Sequence, residues 1–288
     1  MPIWKQLLLA AYYHGSLPYR HWRSAWARAA GMAPLMVLFY HRVADDAGSP
    51  WTMSNREFAA QIRWLQGRFD LVTLQEAQRR LIEKRNPRPA VHITFDDGYD
   101  ANCDEAIPLL IAKKIPCTYF VSSQCVLERI PFPHDVAARC AARPNTLAQI
   151  QAMAAAGVEI GAHTRTHADI GRLHNPREIR DEIVGSGLEL EQALGRPVRY
   201  FAFPYGQPAN MSPVAFRFAR EHGYEAVCSA YGGYNFPGDD PFHIQRIFPD
   251  NLLRLKNWLT VDPRRTCHPY RYDYRIEAPR EPEGVLVP

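Results

Sequence analysis

Four short stretches carry side chains that could do chemistry together. The first, "AVHITFDDGYD" at residues 90–100, runs an apolar strand into Asp96-Asp97-Gly98. Two carboxylates this close raise each other's pKa, and a cation relieves the repulsion. Adjacent residues also project in different directions, so one could hold a metal while the other faces a bound water. Gly98 permits a sharp turn directly afterwards. The second, "VEIGAHTRTHADI" at residues 158–170, spaces His163 and His167 four apart. If that segment coils helically, both imidazoles share one face, which suits two nitrogen ligands of one divalent ion. Thr164 can bond local backbone and hold the turn. The third, "RYFAFPYGQP" at residues 199–208, ends a strand on Pro204-Tyr205-Gly206. A rigid loop of that kind can aim a backbone N–H at a developing oxyanion, and Arg199 could pair with a carboxylate. The fourth, "LMVLFYHRVADD" at residues 35–46, finishes a buried strand on a titratable ring, His41. Each stretch alone has an ordinary alternative: an acidic loop capping a helix, two surface histidines, a strand-to-turn transition, a hydrogen-bonded core histidine.

Groups so far apart in sequence can meet only if strands bring their ends together. From residue 35 onward strand-like and helix-like patterns alternate. Strands are expected at 35–40, 69–73, 90–95, 116–122, 157–161, 199–203, 225–229 and 243–247, and helices at 55–66, 74–84, 101–113, 146–155, 176–194, 213–222 and 251–260. Ser54-x-x-Glu57 and Thr73-x-x-Glu76 have the form of capping boxes, and Asn175-Pro176 that of an N-cap with proline at the first helical position. Such alternation implies right-handed βαβ crossovers and a mostly parallel sheet. About seven units would close into a barrel with its chemistry on the loops after the strands' C-terminal ends. Residues 123–145, containing "RIPFPHD", form a connection long enough to rim a substrate or to be floppy. The expected organisation is a basic, aromatic helical segment at 1–33, the barrel at 34–261, and an extended or disordered tail at 262–288.

The 288 residues are 47% hydrophobic with a net charge of +4, a globular composition. No dense Lys/Arg run, zinc-finger spacing or RNA-binding signature is present, so nucleic acid is not an expected partner. The six cysteines form no CxxC pair and match no disulfide framework, which points to free thiols and a reducing compartment. No apolar run reaches the ~18 residues of a membrane span, and no signal peptide is recognised. The expected location is cytoplasmic, or peripheral at the inner membrane face. The first 44 residues hold Lys5, Arg20, Arg23, Arg28 and Arg42, three tryptophans (Trp4, Trp22, Trp26) and no acid. This pair of helical segments is either a cap packed on the domain or, through residues 1–30, a contact to an anionic membrane.

Three expected strands end in TFDDGY, HTxxH and RxFxxPYG, in that order. In this the sequence resembles the polysaccharide deacetylase family, carbohydrate esterase family 4, over roughly residues 35–250. The resemblance implies a distorted (β/α) barrel holding one divalent metal ion. It implies Asp97, His163 and His167 as the ligands, Asp96 as general base, Arg199 orienting Asp96, and the Tyr205 N–H in an oxyanion hole. Family members usually supply the general acid from a late LxxH motif. Here His222, His243 and His268 lack a leucine three residues earlier, and the one LxxH is Leu38-Phe39-Tyr40-His41. The first and last strands of a barrel are neighbours, so His41 can be the acid if the chain is circularly permuted. In that it is similar to deacetylases of exported poly-N-acetylglucosamine. The acidic-Trp stretch that commonly supports the acid is missing, and "DDPFHIQRI", with Arg246, occupies its approximate region. The implied activity is removal of N-acetyl groups from an N-acetylhexosamine-containing polysaccharide or oligosaccharide. Zinc is the expected ion, and cobalt, nickel or manganese fit the ligands as well. Two other readings stay open: an N-deacylase of a lipid-linked sugar at the membrane, and a non-catalytic carbohydrate-binding relative.

Overall fold

The apolar runs become strands buried on both faces, as parallel strands wrapped by helices must be. A computed structural model describes residues 2–46, 49–262 and 272–275. In chain order its strands are β1 (Leu35–Tyr40), β2 (Arg42–Val43), β3 (Thr52–Met53), β4 (Asp70–Leu71), β5 (Ala90–Phe95), β6 (Cys117–Val121), β7 (Glu159–Ala162), β8 (Tyr200–Ala202), β9 (Ala226–Cys228), β10 (His243–Ile244) and β11 (Arg246–Ile247). The main sheet follows the order β10-β9-β8-β7-β6-β5-β1-β11, with β4 paired to β5 off this path. Every pairing in it is parallel.

β10 and β11 are two halves of one stretch, residues 243–247. One half pairs with β9 and the other with β1, so the two ends of the path meet there and the sheet nearly closes into a barrel. The path has eight strands rather than the seven expected. The split falls at Gln245, where Asn235 replaces the ladder: its Oδ1 accepts from the Gln245 N–H and its Nδ2 donates to the Gln245 carbonyl, both at 2.9 Å.

Side chains alternate across the strands with period two. Leu35, Val37, Ala90, Phe120, Tyr200, Ala202, Ala226, Cys228 and Ile244 pack together in one cluster, while Met36, Leu38, Tyr40, Val91, Ile93 and Phe95 face the helices in another. Ser54, Thr73 and Asn175 cap their helices as expected. The reciprocal capping box closes instead at Thr146 and Gln149. The Glu57 carboxylate accepts from Gln61 and the Leu252 N–H, and Glu76 pairs with Arg79 and Arg80. The expected helix at 101–113 breaks into a 3-10 turn, Asp100–Cys103, and a helix, Ala106–Ala112. That at 176–194 runs through with a π-helical stretch at Asp181–Gly185.

The N-terminal pair of helical segments is a single helix, Ile3–Ala29. Pro18 lies inside it on the exposed side, where the carbonyl it leaves unpaired can reach water. The inward face is anchored by Arg20, which is buried. Its guanidinium donates to the Asn257 carbonyl at 2.7 Å, to Asn257 Oδ1 at 2.9 Å and to Thr260 Oγ1 at 3.1 Å. Of the tail, Asp262 and Tyr272–Arg275 are described. Tyr274 stacks on Phe216 at 4.2 Å and its hydroxyl donates to Asp240, so this part of the extended tail is packed. Cys267 lies outside the described residues; the five described cysteines are free. Replacing Arg20 with alanine should cost about 1–3 kcal/mol in urea unfolding, because buried acceptors on Asn257 and Thr260 lose their donor. An unchanged midpoint would show that this anchor contributes nothing.

Candidate active site

The alternation that sends Leu35 and Val37 into the inner cluster continues to Phe39 and His41 at the end of β1. On β5 it sends Ala90, then Thr94, then Asp96 the same way. All of these chemistry-bearing groups therefore arrive at one end, where a cleft of about 390 Å³ opens. Asp96, Asp97, His41, His134, His167 and Tyr205 line it together with Phe39, Trp51, Phe203 and Phe248. Its volume is that of a small-ligand site.

Asp97 and its two histidines form the one cluster of metal-ligating groups found among the described residues, their ligand atoms lying within 4.8 Å of one another. His163 Nε2 and His167 Nε2 stand 3.3 and 3.1 Å from Asp97 Oδ1. His163 donates its Nδ1–H to the Ala202 carbonyl at 2.8 Å, which leaves the Nε2 lone pair facing the carboxylate. A backbone carbonyl holding the far ring nitrogen in this way orients a histidine for metal ligation. Both oxygens of Asp97 are buried without a hydrogen-bond donor. Burial alone would raise this carboxyl, but positive charge at His167 and His163 holds it well below the usual carboxylate range, and a cation seated among neutral imidazoles would supply that charge in place of their protons. An ionised, buried, donor-less carboxylate facing two imidazole nitrogens fits a divalent cation.

The histidines do not meet on a helix. Residues 163–169 form a loop in which Thr164 (φ 60°) and His167 (φ 62°) adopt the left-handed conformation. Thr164 Oγ1 accepts from the Ala168 N–H at 3.1 Å and so holds the turn. Asp97 (φ 74°) and Tyr205 (φ 60°) are left-handed too. Gly98 follows Asp97 at φ 106°, and a Cβ there would also meet Val126 at 3.1 Å.

Asp96 has different company. Arg246 grips it bidentately, at 2.6 and 2.9 Å, and also donates to Thr94 Oγ1 and the Ser229 carbonyl. Both partners are buried. The expectation that Arg199 orients Asp96 is therefore corrected. Arg199 precedes β8, at the start of its strand, whereas Asp96 follows the end of β5; in a parallel barrel those are opposite ends. Arg199 instead pairs with Glu159 at 2.7 Å and Glu225 at 3.8 Å. Sequence reasoning named Arg246 but missed this role, although an arginine inside the strand-like stretch "HIQRIF" is a signal: a buried guanidinium requires a partner carboxylate.

Tyr205 stands half-exposed at the rim, its ring 5.2 Å from that of His167. Its N–H makes no hydrogen bond among the described residues. His41 reaches the cleft between Phe39, Trp51 and Phe248, with ring centroids at 5.6, 5.2 and 6.0 Å. Its Nδ1 is buried without a partner, and burial lowers its pKa against the pull of Asp97 and Asp96. An aromatic collar thus surrounds His41, where the sequence offers no acidic-Trp stretch. The long 123–145 connection does reach the rim and brings His134 with it. The His134 Nε2 lies 2.8 Å from the Tyr99 hydroxyl and 3.6 Å from Asp97 Oδ2. A histidine in a proline-flanked stretch, "FPHD", is too common a pattern to have marked this position.

Zinc titrated into metal-free protein should bind at one site per chain. His163→Ala and Asp97→Ala should abolish or strongly weaken that binding, as read by calorimetry. Undiminished binding in both variants would place the ion elsewhere.

The polysaccharide deacetylase family model matches residues 83–227, half of the chain. YxkH of Bacillus subtilis (strain 168), assigned by name to the polysaccharide deacetylases, is 26% identical over 204 residues, 70% of this chain and 66% of that protein. A chitooligosaccharide deacetylase of Bradyrhizobium sp. (strain ANU 289) is 29% identical over 41% of this chain and 46% of its own length. The chain thus spans about half to two thirds of these relatives. Among solved structures, IcaB from Ammonifex degensii superposes with a TM-score of 0.67 at 28% identity, covering 79% of this chain and 97% of that one. A match across half the chain, carried on the same barrel, decides the ancestry: this chain belongs to the polysaccharide deacetylase family.

Proposed function

We propose that the protein removes N-acetyl groups from an N-acetylhexosamine-containing polysaccharide or oligosaccharide, with one divalent ion, zinc first among the candidates. The observation that carries this reading is the divergence of two adjacent carboxylates, Asp97 set against two imidazoles and Asp96 locked by Arg246. Its relatives include chitooligosaccharide deacetylases, which supports an N-acetylglucosamine-type substrate. Residues 34–261 would be the catalytic unit.

Held by Asp97, His163 and His167, the ion would supply a water of lowered pKa and polarise the acetamide carbonyl. Asp96 takes the proton of the attacking water. Arg246 keeps Asp96 aimed, and prevents it from swinging toward the ligand set. The Tyr205 N–H, without a partner among the described residues, donates to the oxygen that becomes an anion. His41 gives its proton to the departing nitrogen, and Phe39, Trp51 and Phe248 exclude water around it. Its place is consistent with circular permutation: β1 lies between β5 and β11, so the first strand sits beside the last.

Metal-loaded protein should release acetate from N-acetylated chitooligosaccharides, and chelation followed by dialysis should stop it. Asp96→Asn should keep the ion and lose roughly 10²–10⁴-fold in rate, the usual worth of a general base. If Asp96→Asn loses the metal while Asp97→Asn retains it, the two roles are reversed. Arg246→Met should cost about 10–100-fold, as partners of site residues do, while Arg199→Met leaves turnover near wild type. Equal losses in both would remove Arg246 from the site. His41→Ala should fall mainly in kcat, since its proton is needed as the amine leaves; a change confined to KM would argue for substrate binding instead.

A further inference from the structure

The Ile3–Ala29 helix has two faces, and the catalytic site uses neither. One carries Arg20 into the barrel's flank. On the other, Trp4, Leu8, Ala11, Pro18, Trp22 and Trp26 succeed one another at steps of three, four or seven residues, which aligns them along one side of the helix. Trp4 is 59% exposed, Leu8 63%, Trp22 61% and Trp26 54%. Three tryptophans on one open face are a large apolar surface for water to cover.

The charges around that face have one sign. The helix contains no Asp or Glu. Lys5 lies over the Trp4 ring at 5.2 Å and Arg23 over the Trp26 ring at 5.4 Å. Along one flank, between helix and barrel, runs a groove of about 480 Å³ lined by Arg28, Arg68 and Lys256 together with Arg20 and Arg88, which pair with Asp262 and Asp70 behind its wall. Tryptophan at the level of lipid headgroups, with basic side chains reaching past it to phosphates, is how an amphipathic helix lies on an anionic bilayer. No helix among the described residues is long and apolar enough to cross one.

We infer that this helix docks the protein on an anionic phospholipid surface, with Trp4, Leu8, Trp22 and Trp26 in the headgroup–acyl boundary and lipid phosphates drawn to Arg28 and Lys256. The inference is independent of the catalytic reading, since vesicle binding is measured without turnover. A protein partner fits less well, because the helix carries no acid and the cations over its tryptophans flank an aromatic stripe.

The full chain should cosediment with vesicles of equal parts phosphatidylglycerol and phosphatidylcholine, at least about tenfold more tightly than with phosphatidylcholine alone, and high salt should weaken the binding. Trp4→Ser, Leu8→Ser, Trp22→Ser and Trp26→Ser combined should lose at least about tenfold in affinity with circular dichroism and acetate release from a soluble oligosaccharide unchanged. Arg28→Glu with Lys256→Glu should erase the preference for phosphatidylglycerol. Wild-type tryptophan emission needs no variant: it should shift to the blue on vesicles and be quenched by brominated lipid. Equal binding to both lipids, no binding, or absent quenching overturns the inference. So does a wild-type chain that dimerises without vesicles while the serine variant is monomeric, which would make the stripe a contact between copies.

Discussion

The geometry of the site depends on a buried arginine meeting a buried carboxylate at the barrel mouth. Arg246 and Asp96 are both removed from water, so each is tolerable only in the presence of the other. Their bidentate contact spans β11 and the end of β5. The same guanidinium reaches Thr94 and the Ser229 carbonyl and lies over the rings of Phe39 and Phe120. It therefore fastens the closing strand to β1's neighbour, to the loop after β9 and to the aromatic layers inside the barrel. Closing the barrel and aiming Asp96 are one event. A slip of β11 by one residue would turn Arg246 outward and leave Asp96 alone in a low-dielectric site.

Beside that pair the backbone is bent where the chemistry is placed. Asp97, Thr164, His167 and Tyr205 all sit in the left-handed region, at a cost that tertiary contacts must over-determine. The contacts are visible. The Asp97 carbonyl accepts from the Ser122 N–H, and that of Thr164 accepts from Ser123. Ser122 Oγ donates to the His163 carbonyl. One short stretch after β6 thus braces both ligand-bearing loops. The turns make adjacent residues diverge: Asp96 points at Arg246, and Asp97 points at the imidazoles.

The two faces of the N-terminal helix repeat the theme of cations among aromatics with opposite outcomes. Arg20 lies near the Tyr12 and Tyr13 rings, finds acceptors on Asn257 and Thr260 and stands 3.9 Å from the buried Asp262 carboxylate, so it is buried and fixes the helix to the barrel. Lys5 and Arg23 lie over Trp4 and Trp26, which are each more than half exposed. The difference is the presence of a packed neighbour.

Much of this was legible in residues alone. Period-two burial, the N-caps at Ser54, Thr73 and Asn175, and the apolar runs at 35–40 and 90–95 are local properties, set by backbone sterics and the need to hide apolar side chains. They determined the alternation of strands and helices, hence the barrel. Strand-end motifs also marked Asp96, Asp97, His163, His167 and His41, because a polar group that ends a buried strand must emerge at the mouth. What the sequence could not decide was partnership across the barrel. Arg199 belongs to a strand-end motif and Arg246 does not, yet strand polarity puts Arg199 at the opposite end from Asp96, against Glu159. The split of the last strand at Gln245 depends on Asn235, ten residues away, entering the ladder. The HxxxH spacing was compatible with a helix, and braced left-handed turns made it a loop. Local sequence sets which way a side chain leaves its strand; only the closed barrel sets what it meets, because those contacts join residues 150 positions apart and more.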